Sequence, residues 1–270
     1  MESAVRTVTL RTGISVQCFV QGPVRKKNDG GDTPLLLLHA WGESWGSFKR
    51  LIAALPSSII VAPDLRGHGK ADKPESGYAL TEVADDVVAL CESLGIRRAH
   101  MVGSSSGGYV AQEVAVTAPD LVASLVLVGA PLSLQSRPAF ADDVEQLSDP
   151  IPEDWVRESL SWYRLLHAVP VDYVEDRIKD GLSMPAAILK ASLRGYYEAT
   201  PPTEAGPIVA PTLILWGAHD HLLPRSHEET LAGRIRGAQL KIYEETGHLV
   251  LWECPERVAA DLQAFIDDLP

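Results

Sequence analysis

Short runs of consecutive apolar residues recur along the chain and predict strands that are buried on both faces. They are preceded by two segments of alternating polarity, VRTVTL and ISVQCFV, which predict an antiparallel pair joined at Thr12-Gly13. A polar loop is expected at 21–33. The apolar runs lie at 34–39, 58–63, 99–104, 121–129 and 211–217, with a weaker one at 239–243.

Helical periodicity separates these strands. Apolar residues recur at spacings of three and four after Thr81, where Gly95 is the expected stop, after Gly107, and from Val258 to Ile266. Strands that alternate with helices predict a mostly parallel, doubly wound sheet covered on both faces, which is an α/β fold.

One stretch breaks this alternation. Residues 134–208 contain no strand-like run, but several helical segments with large side chains and frequent prolines. We interpret this stretch as a helical cap inserted between two core strands. The predicted organisation is therefore core residues 1–133, cap residues 134–208 and core residues 209–270.

Composition narrows the functional classes. The chain has 270 residues, of which 46% are hydrophobic, and 24 basic against 36 acidic residues give a net charge of −12. A surface this acidic repels phosphate backbones and anionic lipids, so we expect neither nucleic acid nor membrane partners. The three cysteines form no C-x-x-C pair and no signal segment is visible, which favours the cytoplasm. The oligomeric state is expected to be a monomer or a homodimer.

Three consecutive serines lie between a predicted buried strand and a predicted helix. The pattern G-x-S-x-G marks a sharp turn that exposes a nucleophilic serine, and it needs glycine two residues before and two residues after that serine. Only Ser105 meets this requirement, because Gly103 and Gly107 flank it. A flexible linker is the alternative, but it would cut a strand–turn–helix unit in half.

A nucleophilic serine needs a base, and the base needs a carboxylate that orients it. Asp220 follows the run at 211–217, and His248 follows the run at 239–243 in a short turn with a glycine. Both residues therefore lie beyond the carboxyl ends of predicted strands, as Ser105 does. The order Ser, Asp, His fits this type of sheet.

The chain resembles the α/β-hydrolases that carry a helical cap. The matching segments are LLLLHAWGES, PDLRGHG, GSSSGG, LILWGAHDHLLP and TGHLVLWECPE, in the order of that family. The resemblance implies that Ser105 is the nucleophile, His248 the general base and acid, and Asp220 the carboxylate that holds the imidazole. It also implies that no cofactor or metal is needed.

The resemblance implies an oxyanion hole as well. One donor is expected from the backbone of Ser106, at a helix N-terminus, and the second from the backbone of Trp41. The usual His-Gly of the family is His39-Ala40 here, so the loop carries a methyl group where the family has none. We expect Trp41, Trp162 and Tyr163 to bind substrate.

Other candidates for chemistry have plainer explanations. His219 and His221 flank Asp220 in H-x-H spacing, but no further cluster supports a zinc site, so no metal is predicted. Asp64 is an alternative acid, although its strand precedes that of the nucleophile. Glu244 and Glu245 are expected to be solvated surface charges.

The leading functional hypothesis is hydrolysis of a small or medium hydrophobic carboxylic ester or lactone through an acyl-serine intermediate. Hydrolysis of a C–C bond in a ring-cleavage product is an alternative, since the segment GHLVLWE, with Trp252 four residues after the histidine, resembles the subgroup with that activity. Peroxidation of short acids is a third activity of this machinery. A ligand receptor on the same fold is the alternative outside enzymes, and an intact triad argues against it.

Overall fold

The fold is built on one sheet. A computed structural model describes residues 1–24, 33–135 and 137–269. In these ranges it contains eight strands in the order β1-β2-β4-β3-β5-β6-β7-β8. The strands are β1 Ser3–Thr9, β2 Ser15–Gln21, β3 Leu35–Leu38, β4 Ile60–Pro63, β5 Ala99–Ser104, β6 Val122–Val128, β7 Thr212–Gly217 and β8 Gln239–Tyr243.

Eleven α-helices connect these strands in the described ranges. They are α1 Lys49–Ala54, α2 Leu80–Leu94, α3 Ser106–Thr117, α4 Ala141–Glu145, α5 Glu153–Ser161, α6 Val171–Leu182, α7 Ala186–Tyr197, α8 Pro202–Ala205, α9 Arg225–Arg234, α10 Val250–Glu253 and α11 Pro255–Asp267.

The direction of the strands agrees with the sequence pattern. Strand β2 pairs antiparallel with β1 and β4, and strands β3 to β8 pair in parallel. The predicted α/β class with a mostly parallel sheet is confirmed. The polar loop expected at 21–33 falls mostly outside the described residues, which omit 25–32.

Successive side chains of the central strands enter two separate cores, because side chains alternate across a sheet. Leu36 and Leu38 of β3 pack in one core, which includes side chains of α2 and α3. Leu35 and Leu37 pack in the other, with side chains of α1 and α11. This double burial explains why the strands read as uninterrupted apolar runs.

The helices α4 to α8 lie between β6 and β7, and α4 to α7 share a small core of their own. It is formed by residues such as Val144, Val156, Ile178 and Leu189, and it also includes Tyr78 from the loop before α2. The limits 134–208 assigned to the cap stay a prediction. None of the helices in the described ranges combines the length and apolarity needed to cross a membrane.

Candidate active site

Ser105 lies at the sharp turn between β5 and α3 and has a strained backbone. Its φ of 47° and ψ of −121° place it in the left-handed half of conformational space, and among the described residues it is the one non-glycine with positive φ. A Cβ atom on Gly107 would collide with the carbonyl oxygens of Leu38 and His39, and one on Gly103 with the backbone of α3. Glycine at both positions is therefore a steric requirement of the turn.

The structure brings the three side chains selected from the sequence into one chain of hydrogen bonds. His248 Nε2 lies 3.0 Å from Ser105 Oγ, and His248 Nδ1 lies 2.7 Å from Asp220 Oδ2. With the Nδ1 proton donated to Asp220, Nε2 is free to accept the serine proton. Asp64 is occupied elsewhere, since its carboxylate accepts the amides of Trp45 and Lys70 at 2.9 and 2.8 Å.

Backbone amides hold the carboxylate of Asp220 in place. Its second oxygen, Oδ1, accepts hydrogen bonds from the amides of Leu222 at 2.8 Å and Leu223 at 3.0 Å. The Asp220 side chain is fully shielded from solvent. Because Oδ1 is bound to the main chain, Oδ2 has a fixed direction towards the imidazole.

The loop that carries His248 is anchored by a glutamate that the sequence analysis did not single out. Glu253 Oε1 accepts the amide of Gly247 at 3.0 Å, while Oε2 accepts the amides of Leu166 and His167 at 2.6 and 2.8 Å. Residues 166 and 167 lie between α5 and α6. One buried carboxylate thus connects the turn that carries His248 to the segment between α5 and α6.

The loop after β3 is held by a buried histidine. His39 Nε2 accepts the amide of Leu65 at 2.9 Å, and Nδ1 lies 2.8 Å from the carbonyl of Ala40. Burial lowers the pKa of His39 to about 4, so the ring is neutral at pH 7 and can accept that amide. His39 therefore fixes the loop that presents Trp41.

The two predicted oxyanion donors, Ser106 and Trp41, are neighbours, but their arrangement differs from the expected one. The amide of Trp41 donates to Ser106 Oγ at 2.7 Å. The amide of Ser106, at the start of α3, has no acceptor among the described residues. The sequence predicts a role only for the backbone amide of Ser106. It gives no signal for the hydrogen bond between the Ser106 hydroxyl and the Trp41 amide.

A cavity of about 490 Å³ lies above Ser105 and His248. Trp41, Trp162 and Tyr163, the three residues predicted to bind substrate, all line it, together with Phe140. Phe140 stacks on Trp162 at 4.9 Å and on Trp41 at 6.0 Å between ring centroids. Tyr163 stacks on the imidazole of His248 at 5.5 Å. The wall over the serine is therefore largely aromatic.

Buried charges also surround the cavity, and apolar periodicity gives no signal for them. Glu43 and Arg177 line the cavity and are both shielded from solvent. Arg177 Nη2 pairs with Asp180 at 3.0 Å. Burial raises the pKa of Glu43, and the charge of Arg177 opposes that shift.

Glu228 on α9 is a further buried carboxyl, close enough to Asp220 for the charge of Asp220 to affect it. It is fully buried, and neither of its carboxyl oxygens has a hydrogen-bond partner in the described structure. Desolvation, followed by the charge of Asp220, raises the pKa of Glu228 to about 8. The polar sequence of α9 had given no reason to expect burial there.

The remaining candidates make no side-chain hydrogen bond to the catalytic residues in the described ranges, although His221 lines the cavity. His219 and His221 are exposed, and residues 1–24, 33–135 and 137–269 contain no group of three histidine, cysteine, aspartate or glutamate side chains placed to hold a metal ion. Glu244 and Glu245 are exposed in the turn after β8, as expected for surface charges.

Comparison with known proteins identifies the family of the chain. The model of the Alpha/beta hydrolase family matches residues 35–261. The chain belongs to this family. This hydrolase is 30% identical over 260 residues to a pyrrolizixenacetamide deacetylase from Xenorhabdus hominickii, with 90% of this chain and 94% of that protein covered.

Solved structures of similar hydrolases span nearly the whole chain. The esterase RhEst1 from Rhodococcus sp. ECU1013 is 26% identical, with a TM-score of 0.81 and coverage of 98% of this chain and 99% of the other. A hydrolase from Pseudomonas aeruginosa PA01 is 25% identical, with a TM-score of 0.81 and coverage of 97% and 98%.

Proposed function

We propose that this hydrolase cleaves a small or medium hydrophobic carboxylic ester or lactone through an acyl-Ser105 intermediate. The observation that carries the proposal is the continuous set of hydrogen bonds from Ser105 through His248 to Asp220 beneath an aromatic cavity. The deacetylase and the esterase among its relatives support the hydrolysis of a carboxylic acid derivative.

Acylation follows from the positions of these atoms. Ser105 Oγ attacks the carbonyl carbon while its proton passes to His248 Nε2, 3.0 Å away. Asp220 stabilises the resulting imidazolium through the 2.7 Å contact to Nδ1. The carbonyl oxygen becomes an oxyanion at the N-terminus of α3, where the free amide of Ser106 and the helix dipole stabilise negative charge.

Collapse of the tetrahedral intermediate completes the first half of the reaction. His248 donates its proton to the departing alcohol oxygen, and the acyl group remains on Ser105. A water molecule then attacks the acyl-enzyme as His248 accepts its proton, and the second collapse releases the acid and restores Ser105. No group outside the chain, substrate and water is needed.

The size and lining of the cavity support the proposed substrate class. A volume of about 490 Å³ lies in the range of pockets that enclose small organic ligands. The stacked rings of Trp41, Phe140 and Trp162 give the cavity an apolar lining against which an aryl group or a short alkyl chain can pack. A fatty acyl chain of sixteen carbons would have to fold to enter this cavity and would lose conformational freedom, which disfavours its binding.

Steady-state kinetics on a panel of substrates tests the proposal. The panel contains p-nitrophenyl acetate, butyrate, benzoate and palmitate, a six-membered lactone and a vinylogous diketone, with Ser105→Ala as the inactive control. We expect the highest kcat/KM for butyrate, benzoate or the lactone, and at least tenfold less for palmitate. Turnover of the diketone alone would favour the C–C hydrolase alternative, and binding without any turnover would favour the receptor.

Three expectations from the sequence stay predictions. They are a cytoplasmic location, a monomeric or homodimeric state, and the lack of nucleic acid and membrane partners.

A further inference from the structure

The second expected donor of the oxyanion hole already has an acceptor. A backbone amide has one proton, and that of Trp41 points to Ser106 Oγ at 2.7 Å. Backbone amides of an oxyanion hole lie at about 2.7 to 3.1 Å from the oxyanion, so this distance falls in the same range. Ser106 Oγ therefore occupies the place where the carbonyl oxygen of a substrate would meet the amide of Trp41.

Ser106 is placed to transmit this interaction. Ser106 is buried, with 6% of its surface exposed, and it lines the cavity directly beside Ser105. A hydroxyl oxygen accepts two hydrogen bonds and donates one. Because Oγ accepts a hydrogen bond from the Trp41 amide, the hydroxyl proton of Ser106 is available for donation to another group.

A second group from α7 lies against the same hydroxyl. Tyr196 is buried, and burial raises the pKa of its phenol, while the nearby Ser106 hydroxyl opposes that shift. An interaction that lowers the pKa of a phenol is one in which the phenol oxygen accepts, so the Ser106 hydroxyl can donate to Tyr196 in the free enzyme. The same proton can turn to the cavity when an oxyanion forms beside Ser105. A hydroxyl that accepts a hydrogen bond, as Ser106 does from the Trp41 amide, is a stronger donor through polarisation.

We propose that the hydroxyl of Ser106 is a catalytic donor of the oxyanion hole and replaces the amide of Trp41, which holds it from behind. The assignment rests on the proposed ester hydrolysis at Ser105. In this arrangement one residue supplies two donors to the developing negative charge, the backbone N–H and the side-chain O–H of Ser106. The amide of Trp41 acts through Ser106 and is a positioning group.

The opposite arrangement makes a different prediction. If the hydroxyl only blocked the amide of Trp41 and moved aside when substrate bound, its removal would leave kcat unchanged or raise it. If the hydroxyl donates to the oxyanion, its removal lowers kcat, because the Trp41 amide lies a full hydrogen-bond length behind the vacated position.

The experiment compares Ser106→Ala with wild type and with the matched control Ser104→Ala, which removes the hydroxyl on the other side of Ser105. Ser106→Gly makes the same deletion should the alanine variant fail to fold, and folding is checked by thermal unfolding. We expect Ser106→Ala to lower kcat for p-nitrophenyl butyrate about 10²-fold with KM changed less than threefold. Ser104→Ala should retain most of the activity.

A second readout separates a donor from a merely structural group. Phenylboronic acid forms a tetrahedral adduct on a nucleophilic serine and places an oxygen in the oxyanion hole, so its affinity should fall in parallel with kcat/KM. Unchanged kcat, or reduced kcat with unchanged boronate affinity, would overturn the assignment. Boronate binding needs no turnover, so the donor is tested even where the ester panel refutes the proposed reaction.

Discussion

Replacing the buried carboxyl of Glu228 by the amide of glutamine should change the pH dependence of stability. The pKa of Glu228 is raised from 4.5 to about 8 in the folded protein, first by desolvation and second by the charge of Asp220. Between these two values the folded state keeps a proton that the unfolded state has lost. Stability therefore falls as pH rises through this window and is unaffected by this group below it.

The magnitude follows from the two pKa values. Each pH unit well inside the window lowers the free energy of unfolding by about 1.4 kcal/mol. From pH 5.5 to 8.5 the accumulated loss is about 3 kcal/mol. Glu228→Gln has no ionisable group at this position, so its stability relative to wild type should increase by that amount over the same range.

Urea unfolding at pH 5.5 and 8.5 measures this difference. The matched control is Glu229→Gln, which changes the exposed neighbour on the same helix. Its free energy of unfolding relative to wild type should change by less than about 0.5 kcal/mol between the two pH values. If the difference between Glu228→Gln and wild type were the same at both pH values, the account of a protonated buried carboxyl would be wrong.

Two further predictions concern the site itself. Asp220→Asn should lower kcat by about 10³- to 10⁴-fold, because an amide favours the wrong tautomer of His248. Steady-state kinetics on p-nitrophenyl butyrate measure this change, and a loss of less than about tenfold would show that Asp220 has no catalytic role. Trp41→Phe should raise KM more than it lowers kcat, because it keeps an aromatic ring but loses the indole hydrogen bonds to Leu189 O at 3.2 Å and Ser192 Oγ at 3.1 Å on α7. Ser192→Ala is its control, since it removes one of those acceptors and leaves the indole in place; an unchanged KM in Trp41→Phe would contradict the prediction.

The sequence was informative where a steric rule or a periodicity acts. Gly103 and Gly107 single out Ser105 because the turn leaves no room for a Cβ atom at either position. The strands at 34–39 and 211–217 were recognisable because both faces are buried. The loops beyond such strands meet at one edge of the sheet, which is why Asp220 and His248 could be assigned.

The parts that the sequence did not predict depend on individual side-chain contacts. Helix α9 was missed because only Glu228 and Leu231 of its ten residues are buried, which leaves no apolar stripe to detect. The contact between Trp41 and Ser106 joins residues that are 65 positions apart and depends on the direction of one N–H group. The anchoring of the His248 loop by Glu253 is likewise a tertiary contact with no local pattern.

The identity of the nucleophile is the central claim, and covalent labelling tests it most directly. The protein is treated with a p-nitrophenyl alkylphosphonate, the intact mass is measured, and the modified peptide is sequenced by tandem mass spectrometry. We expect one phosphonyl group per chain on Ser105, complete loss of esterase activity in step with labelling, and no labelling of Ser105→Ala. An adduct on Ser104 or Ser106, or loss of activity without an adduct on Ser105, would contradict the account.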